Sequence, residues 1–300
     1  MVWRIDPMGW GENETVGTSS VSKWTVLHRH GSAQELHDRA ADDPIDRRAV
    51  VVHHVDRTAL VLGSTQPDAD LDLGVVADRG WELARRRSGG GAVLLVPGEH
   101  VWVDVVLPAG DPLADDDVER ATWWLGHAWA RALRLELVAE GAGGLSADAS
   151  AVPVGTPASG QAASGQAASG PAVLHQRGVS DRVAGRVACF AALGPGELSV
   201  DGRKVLGISQ RRTRFGARFQ CIAYSRWEPE LLLGALRATA GAGLGSAGGA
   251  EWGGGADRPG GVEWGGESLG ASIRTALVDR AGAVVPSGWD VVERLVPALP

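Results

Sequence analysis

Short apolar runs separated by turn-forming pairs dominate the first third of the chain. Residues 50–54 and 59–62 are mainly apolar and are split by Val55-Asp56-Arg57; residues 92–96 and 101–107 are mainly apolar and are split by Pro97-Gly98. Runs this short and continuous predict strands buried on both faces. The period then changes. Val118, Ala121, Leu125, Ala128, Trp129, Ala132 and Leu133 share one stripe at helical spacing, behind Asp115, Asp116 and Asp117. Carboxylates at that end accept free main-chain N–H groups and oppose the helix dipole, so the pattern predicts a helix over 115–137.

A second ordered block follows. Residues 186–191, 197–200, 204–211 and 217–224 read as strands. Asp201-Gly202 is a hairpin signal, because both central positions of that turn favour positive φ. Pro229 opens a predicted helix to about residue 238, proline being favoured at the first helical position. Two weaker helices are expected over 268–278 and 289–295 as a small C-terminal unit. Strands, a long helix, more strands and then helices predict an α+β fold: a mixed, mainly antiparallel β-sheet flanked by α-helices.

Composition sets the boundaries. Residues 1–21 are polar and read as a flexible N-terminus. Residues 141–172 contain a tandem Ser-Gly-Gln-Ala-Ala repeat, and 241–266 are Gly-rich with Glu-Trp-Gly-Gly written twice. Both lack the large apolar side chains that offset ordering entropy, so the first reads as a disordered insertion and the second as a linker. The working domain is then 22–240, with a helical extension over 267–300. The 300 residues carry a net charge of −7, which argues against a nucleic-acid partner. No apolar stretch is long enough to span a membrane, no signal-peptide pattern opens the chain, and two cysteines make no disulfide framework. The expectation is a cytoplasmic protein.

The bias of the charges is informative. Positive charge is written almost entirely as arginine, and the lysines are Lys23 and Lys204 alone. A lysine that survives such a bias is a candidate for a role that arginine does not fill.

Lys204 opens an apolar strand just past the hairpin turn, where its ammonium can reach into a pocket and hold a phosphate or acyl oxygen. A solvated strand-end lysine is the plain alternative. Arg85, Arg86 and Arg87 lead into Ser88, Gly89, Gly90, Gly91 and Ala92. Glycines let a backbone turn N–H groups towards an anion, and arginines add paired donors, which suits a phosphate-containing ligand. A simple basic hairpin has the same sequence. Cys189 sits before Phe190 in an apolar segment, as a core residue or as a nucleophile. His28, His30, His37, His53 and His54 read as surface or strand-edge residues. No metal site and no Walker or Gly-x-Ser-x-Gly motif is present.

Taken together, RRRSGGGAV and, about a hundred residues later, GRKVLGISQRR resemble the lipoate–protein ligase and octanoyltransferase family, relatives of biotin–protein ligases. ALVLGSTQ at 59–66 resembles the family's entry strand and loop, and ACFAALGPGELSVDGRKVLGISQRR its active-site lysine block. The resemblance implies the biotin/lipoate ligase catalytic fold. It implies attachment of a lipoyl or octanoyl group to a lysine of lipoyl carrier domains, those of 2-oxoacid dehydrogenases or the glycine cleavage H protein.

In the ligase branch ATP and Mg²⁺ first make an acyl-adenylate. In the transferase branch octanoyl-acyl carrier protein donates without ATP, through a cysteine thioester. A member that binds the lipoyl group or adenylate without turnover is the remaining reading. By the same resemblance, Lys204 and Cys189 are the catalytic candidates. Gly63, Arg86, Arg87, Ser88, Gly89, Gly90, Gly91, Ala92, Gly207 and Ser209 would line the acyl-adenylate site. The family loop continues to His-Asp and Gly-Asn; this chain has Leu95, Val96, Gly98 and Glu99 there.

Overall fold

A computed structural model describes residues 14–17, 23–43, 45–139, 170–237, 266–284 and 290–300. The expected insertion and linker lie almost wholly outside these residues, as does most of the expected flexible N-terminus. Within that N-terminus Glu14–Gly17 forms strand β1, and Ala172, at the edge of the expected insertion, opens a strand.

The chain then runs β2 (Thr25–Gly31), α1 (Ala33–Asp42), β3 (Ala49–Val55), β4 (Ala59–Leu62), α2 (Leu73–Asp78), β5 (Glu82–Arg85), β6 (Val93–Leu95) and β7 (His100–Pro108). It continues with α3 (Trp123–Ala132), β8 (Leu137–Val138), β9 (Ala172–Leu174), α4 (Arg182–Val187), β10 (Leu198–Val200), β11 (Arg203–Thr213), β12 (Gly216–Tyr224), α5 (Pro229–Gly234), α6 (Gly266–Asp279) and α7 (Asp290–Ala298).

A large sheet has the order β1-β2-β3-β7-β12-β11-β10-β9-β8, and a small one the order β5-β4-β6. In the large sheet β2–β3 and β8–β9 are parallel; the other pairs are antiparallel. The sheet is therefore mixed and mainly antiparallel, with helices on both faces, as the pattern of runs predicts.

Each face of the large sheet buries its own core. On one side Val103, Val105, Phe219 and Val205 pack with Leu125 and Trp129 of α3 and Val291 and Leu295 of α7. On the other side Trp102, Ile222 and Tyr224 face the small sheet, together with Leu36 of α1, Leu232 of α5 and Ile273 and Leu277 of α6. The two C-terminal helices thus join different cores.

Three local expectations are corrected. The helix expected over 115–137 is confined to α3 and a preceding 3-10 turn at Arg120–Thr122. The Asp115 and Asp117 carboxylates instead accept from the main chain of the next two or three residues, closing turns rather than capping a helix. The strand expected over 186–191 is the end of α4 followed by a 3-10 turn at Cys189–Ala191. Asp181 caps that helix by accepting from Val183 and Ala184 N–H. Helix α1 was not foreseen, although Ser32 and Glu35 form a capping box and Ala33, Leu36, His37 and Ala40 make its buried stripe. The hairpin at Asp201-Gly202 is as expected, with φ of 50° and 73°.

Phe219, fully buried on the α3 face, and Phe215, 58 % exposed at the next hairpin, give a paired test of this layering. Phe219→Ala is expected to lose about 3–5 kcal/mol and Phe215→Ala under about 0.5 kcal/mol in denaturant titration.

Candidate active site

The glycine loop is held from inside. Arg86 is buried, and its Nη2 donates to the carbonyls of Gly89 and Gly91, both at 2.8 Å. Arg85 donates to the carbonyls of Gly63 and Gln66 and pairs with Asp68, while Arg87 is exposed, 3.7 Å from Asp38. The arginine run therefore splits by side chain: Arg85 and Arg86 fix the loop, and Arg87 faces outward. Two glycines are required by close approach. A Cβ on Gly63 would lie 1.9 Å from the Gly90 carbonyl oxygen, and one on Gly91 would lie 2.3 Å from the Ala188 nitrogen.

That second contact couples the loop to the cysteine turn. Ala92 N–H donates to the Val187 carbonyl at 2.9 Å, and Cys189 N–H donates to the Ala92 carbonyl at 3.0 Å. Lys204 grips the same turn from the other side. Its buried Nζ donates to the carbonyls of Cys189 (2.9 Å) and Ala192 (2.8 Å) and pairs with Glu197 at 2.6 Å. These use all three ammonium protons. The Cys189 sulfur is 3.9 Å from Nζ, and the Phe190 ring centroid 5.1 Å. Glu197 is itself oriented by main-chain donors, Gly194 N–H at 2.6 Å and Ile208 N–H at 2.8 Å.

Beside this turn the two sheets border a narrow, partly open cavity. Cys189, Gly207 and Ser209 line it together with apolar Val61, Leu95, Ile208 and Ile222, and with Arg86, Trp102, His37 and Gln220. Among the expected site residues, Cys189, Arg86, Gly207 and Ser209 line the cavity directly. Ser88 closes its polar wall, sharing hydrogen bonds with Ser209 Oγ (3.0 Å) and Gln220 Oε1 (3.1 Å). Lys204 is not a lining residue; it stands behind Cys189. Gly89 and Gly90 form the exposed tip of the loop, and Gly63, Gly91 and Ala92 are buried beneath it.

The deep wall holds residues that sequence reasoning passed over. His37 and His53 are buried, contrary to the surface reading, and both pack on Trp102, at centroid distances of 4.4 and 4.2 Å. Trp102 Nε1 donates to Asp104 at 3.0 Å, and Arg218 donates to the same carboxylate at 3.1 Å. Burial alone would raise the Asp104 pKa; His53, Arg218 and His37 outweigh it and hold it well below the usual carboxylate range. Burial lowers His37 to about 3, Asp104 pulling the other way, so its imidazole is neutral at physiological pH. The available signals were one acid within the apolar run of β7, one glutamine within β12, and the capping box before His37.

Two outcomes are expected here. Lys204→Met leaves the Glu197 carboxylate buried and unpaired, costing about 3–5 kcal/mol, and Lys204→Met with Glu197→Gln recovers much of it; thermal and denaturant unfolding report both. His37 has a folded-state pKa below its unfolded value, so the unfolded chain binds the extra proton. Stability is then lost as pH falls from about 6.5 towards 3. Unfolding titrations across that window should have a shallower slope for His37→Gln than for the unmodified protein.

The comparisons with known proteins agree with this geometry. A search of curated protein sequences finds no match. Among solved structures, lipoate-protein ligase A bound with ATP is similar at a TM-score of 0.55 and 13 % identity, covering 92 % of this chain and 83 % of that one. A T. acidophilum protein described as a lipoate protein ligase, with bound lipoic acid, has a TM-score of 0.54 at 13 % identity, covering 90 % and 80 %. A bipartite lipoate protein ligase with its E2 lipoyl domain, from Thermoplasma acidophilum, has a TM-score of 0.50 at 13 % identity, covering 90 % and 81 %. At this identity the likeness is one of fold. The profile of the lipoyl protein ligase A/B catalytic domain matches residues 32–240, and the chain belongs to that family.

Proposed function

We propose that the protein transfers a medium-chain acyl group, octanoyl or lipoyl, to a lysine of a lipoyl carrier domain, through a thioester on Cys189. The observation that carries this reading is the place of Cys189: its side chain is on the wall of an apolar cavity, with the Lys204 ammonium 3.9 Å from the sulfur. In the first step the cysteine sulfur attacks the carbonyl of an acyl thioester. A new C–S bond forms, the donor C–S bond breaks, and the donor thiol leaves with the cysteine proton. In the second step the uncharged carrier lysine amine attacks the Cys189 thioester; an amide forms and the cysteine sulfur takes the proton back. A fixed ammonium beside sulfur suits a group that carries negative charge in both steps. The E2 lipoyl domain paired with one structural relative supports a carrier domain as acceptor.

An ATP-dependent ligase forming an acyl-adenylate is the reading that the sequence motifs favour first, and ATP and lipoic acid bound to structural relatives support it. The exposed Gly89–Gly90 tip beside the cavity is the feature that suits an adenylate phosphate. Magnesium and a triphosphate fit the cavity less well. Arg86 is engaged with loop carbonyls and Lys204 with the Cys189 turn and Glu197. No carboxylate is among the lining residues, and no cluster of metal-binding side chains occurs among the described residues. No helix among the described residues is long and apolar enough to cross a membrane.

Intact-mass analysis separates the readings. With octanoyl-acyl carrier protein and no ATP, one octanoyl group is expected on the enzyme and then on a lipoyl domain. Cys189→Ser is expected to lower that transfer by on the order of 10³-fold or more. Transfer that needs free acid plus ATP, and survives Cys189→Ser, establishes the ligase instead. No modification of the carrier under either condition sinks both.

A further inference from the structure

We infer that His37 is a specificity-determining residue that hydrogen-bonds a heteroatom carried along the acyl chain, away from its carbonyl end. This rests on the cavity being an acyl site and adds which acyl group it selects. The cavity crosses the large sheet along one row of paired residues. Gly207 pairs with Ile222, Ile222 with Trp102, and Trp102 with His53. Cys189 stands at the Gly207 end, where the Phe190 ring would lie 3.2 Å from a Cβ on Gly207. His37 stands at the other end, against Trp102. Two strand spacings separate Gly207 from Trp102, roughly 10 Å. A chain bound as a thioester at Cys189 would run over Ile222 and end near Trp102 and His37.

Most of the lining polar side chains are already satisfied. Trp102 donates to Asp104, Gln220 joins Ser88 to Asp104, Ser209 bonds Ser88, and Arg86 holds the loop. His37 lines the cavity with only 6 % of its surface exposed, and its ring makes no hydrogen bond among the described residues, its nitrogens being open to the cavity rather than sealed in the core. A neutral imidazole has one N–H donor and one bare acceptor, and both can meet a polar atom of whatever occupies the cavity. A ligand that brings a hydrogen-bonding sulfur or oxygen to this point meets the imidazole; an all-carbon chain leaves it unmet.

The test is calorimetric titration of the full chain with octanoic acid, lipoic acid and ω-hydroxyoctanoic acid, repeated for His37→Leu and His37→Gln. Lipoic acid brings sulfur and the hydroxy acid brings oxygen to the far end; octanoic acid brings neither. In His37→Leu, the affinity of at least one heteroatom acid relative to octanoic acid is expected to fall about tenfold. In His37→Gln, which keeps a donor and an acceptor, the ratio is expected to stay within about threefold of the starting value. The acid whose ratio moves identifies the heteroatom. An unchanged ratio in His37→Leu overturns this inference and leaves the acyl site standing. No binding of any of the three acids overturns this inference, while thioester transfer to Cys189 is read separately by intact mass.

Discussion

The ion pair between Lys204 and Glu197 is the constraint around which the site is arranged. Both side chains are almost fully buried, so neither charge is tolerable without the other. Their mutual attraction fixes an ammonium at the floor of the Cys189–Ala191 turn, where its remaining protons bind the carbonyls of Cys189 and Ala192. A 3-10 turn leaves main-chain carbonyls without helical partners, and here a lysine supplies the donors. The main chain of Lys204 is held in its turn by the segment after α6. Its N–H donates to the Arg280 carbonyl, and its carbonyl accepts from Gly282 N–H. The C-terminal extension is therefore packed against Lys204 itself.

The glycine loop is organised by the opposite device, one buried cation bonded to carbonyls of its own chain. Arg86 lies inside the loop it precedes and draws Gly89 and Gly91 around its guanidinium. Burial holds its pKa below the ordinary arginine value, with Cys189 and Tyr224 acting against that effect. Gly63 and Gly91 remove the side chains that would keep the loop away from β4 and from Ala188. The loop and the cysteine turn thereby share hydrogen bonds through Ala92, so a displacement of either is felt by the other.

Much of the architecture was legible because it is encoded locally. The runs that became β3, β4 and β7 are mainly apolar stretches with turn residues between them. Asp201-Gly202 needs nothing distant to form its hairpin. The site motifs were legible as residue types in order. Their contacts were not: Arg86 bonds the carbonyls of its own loop as well as lining the cavity, and Lys204, read as pointing into a pocket, bonds the Cys189 turn. The segment at 186–191 looked like a strand because its apolar residues are as continuous as those of a strand. Capping by Asp181 and docking on Ala92 settled it otherwise.

The features that stayed hidden all depend on residues far apart in the chain. Ser88 meets Gln220 across 132 positions, and Arg218 meets Asp104 across 114. Only the pairing of β7 with β12, and of β12 with β11, puts Trp102, Ile222 and Gly207 in one row. Only the packing of α1 on that row turns His37 from one polar residue of a helix into the wall of a cavity. Strand, turn and loop preferences belong to the chain's own short-range sterics and could be read in order. Which side chain shares a pocket with which is set by burial and sheet register, and these exist only once the chain has closed on itself.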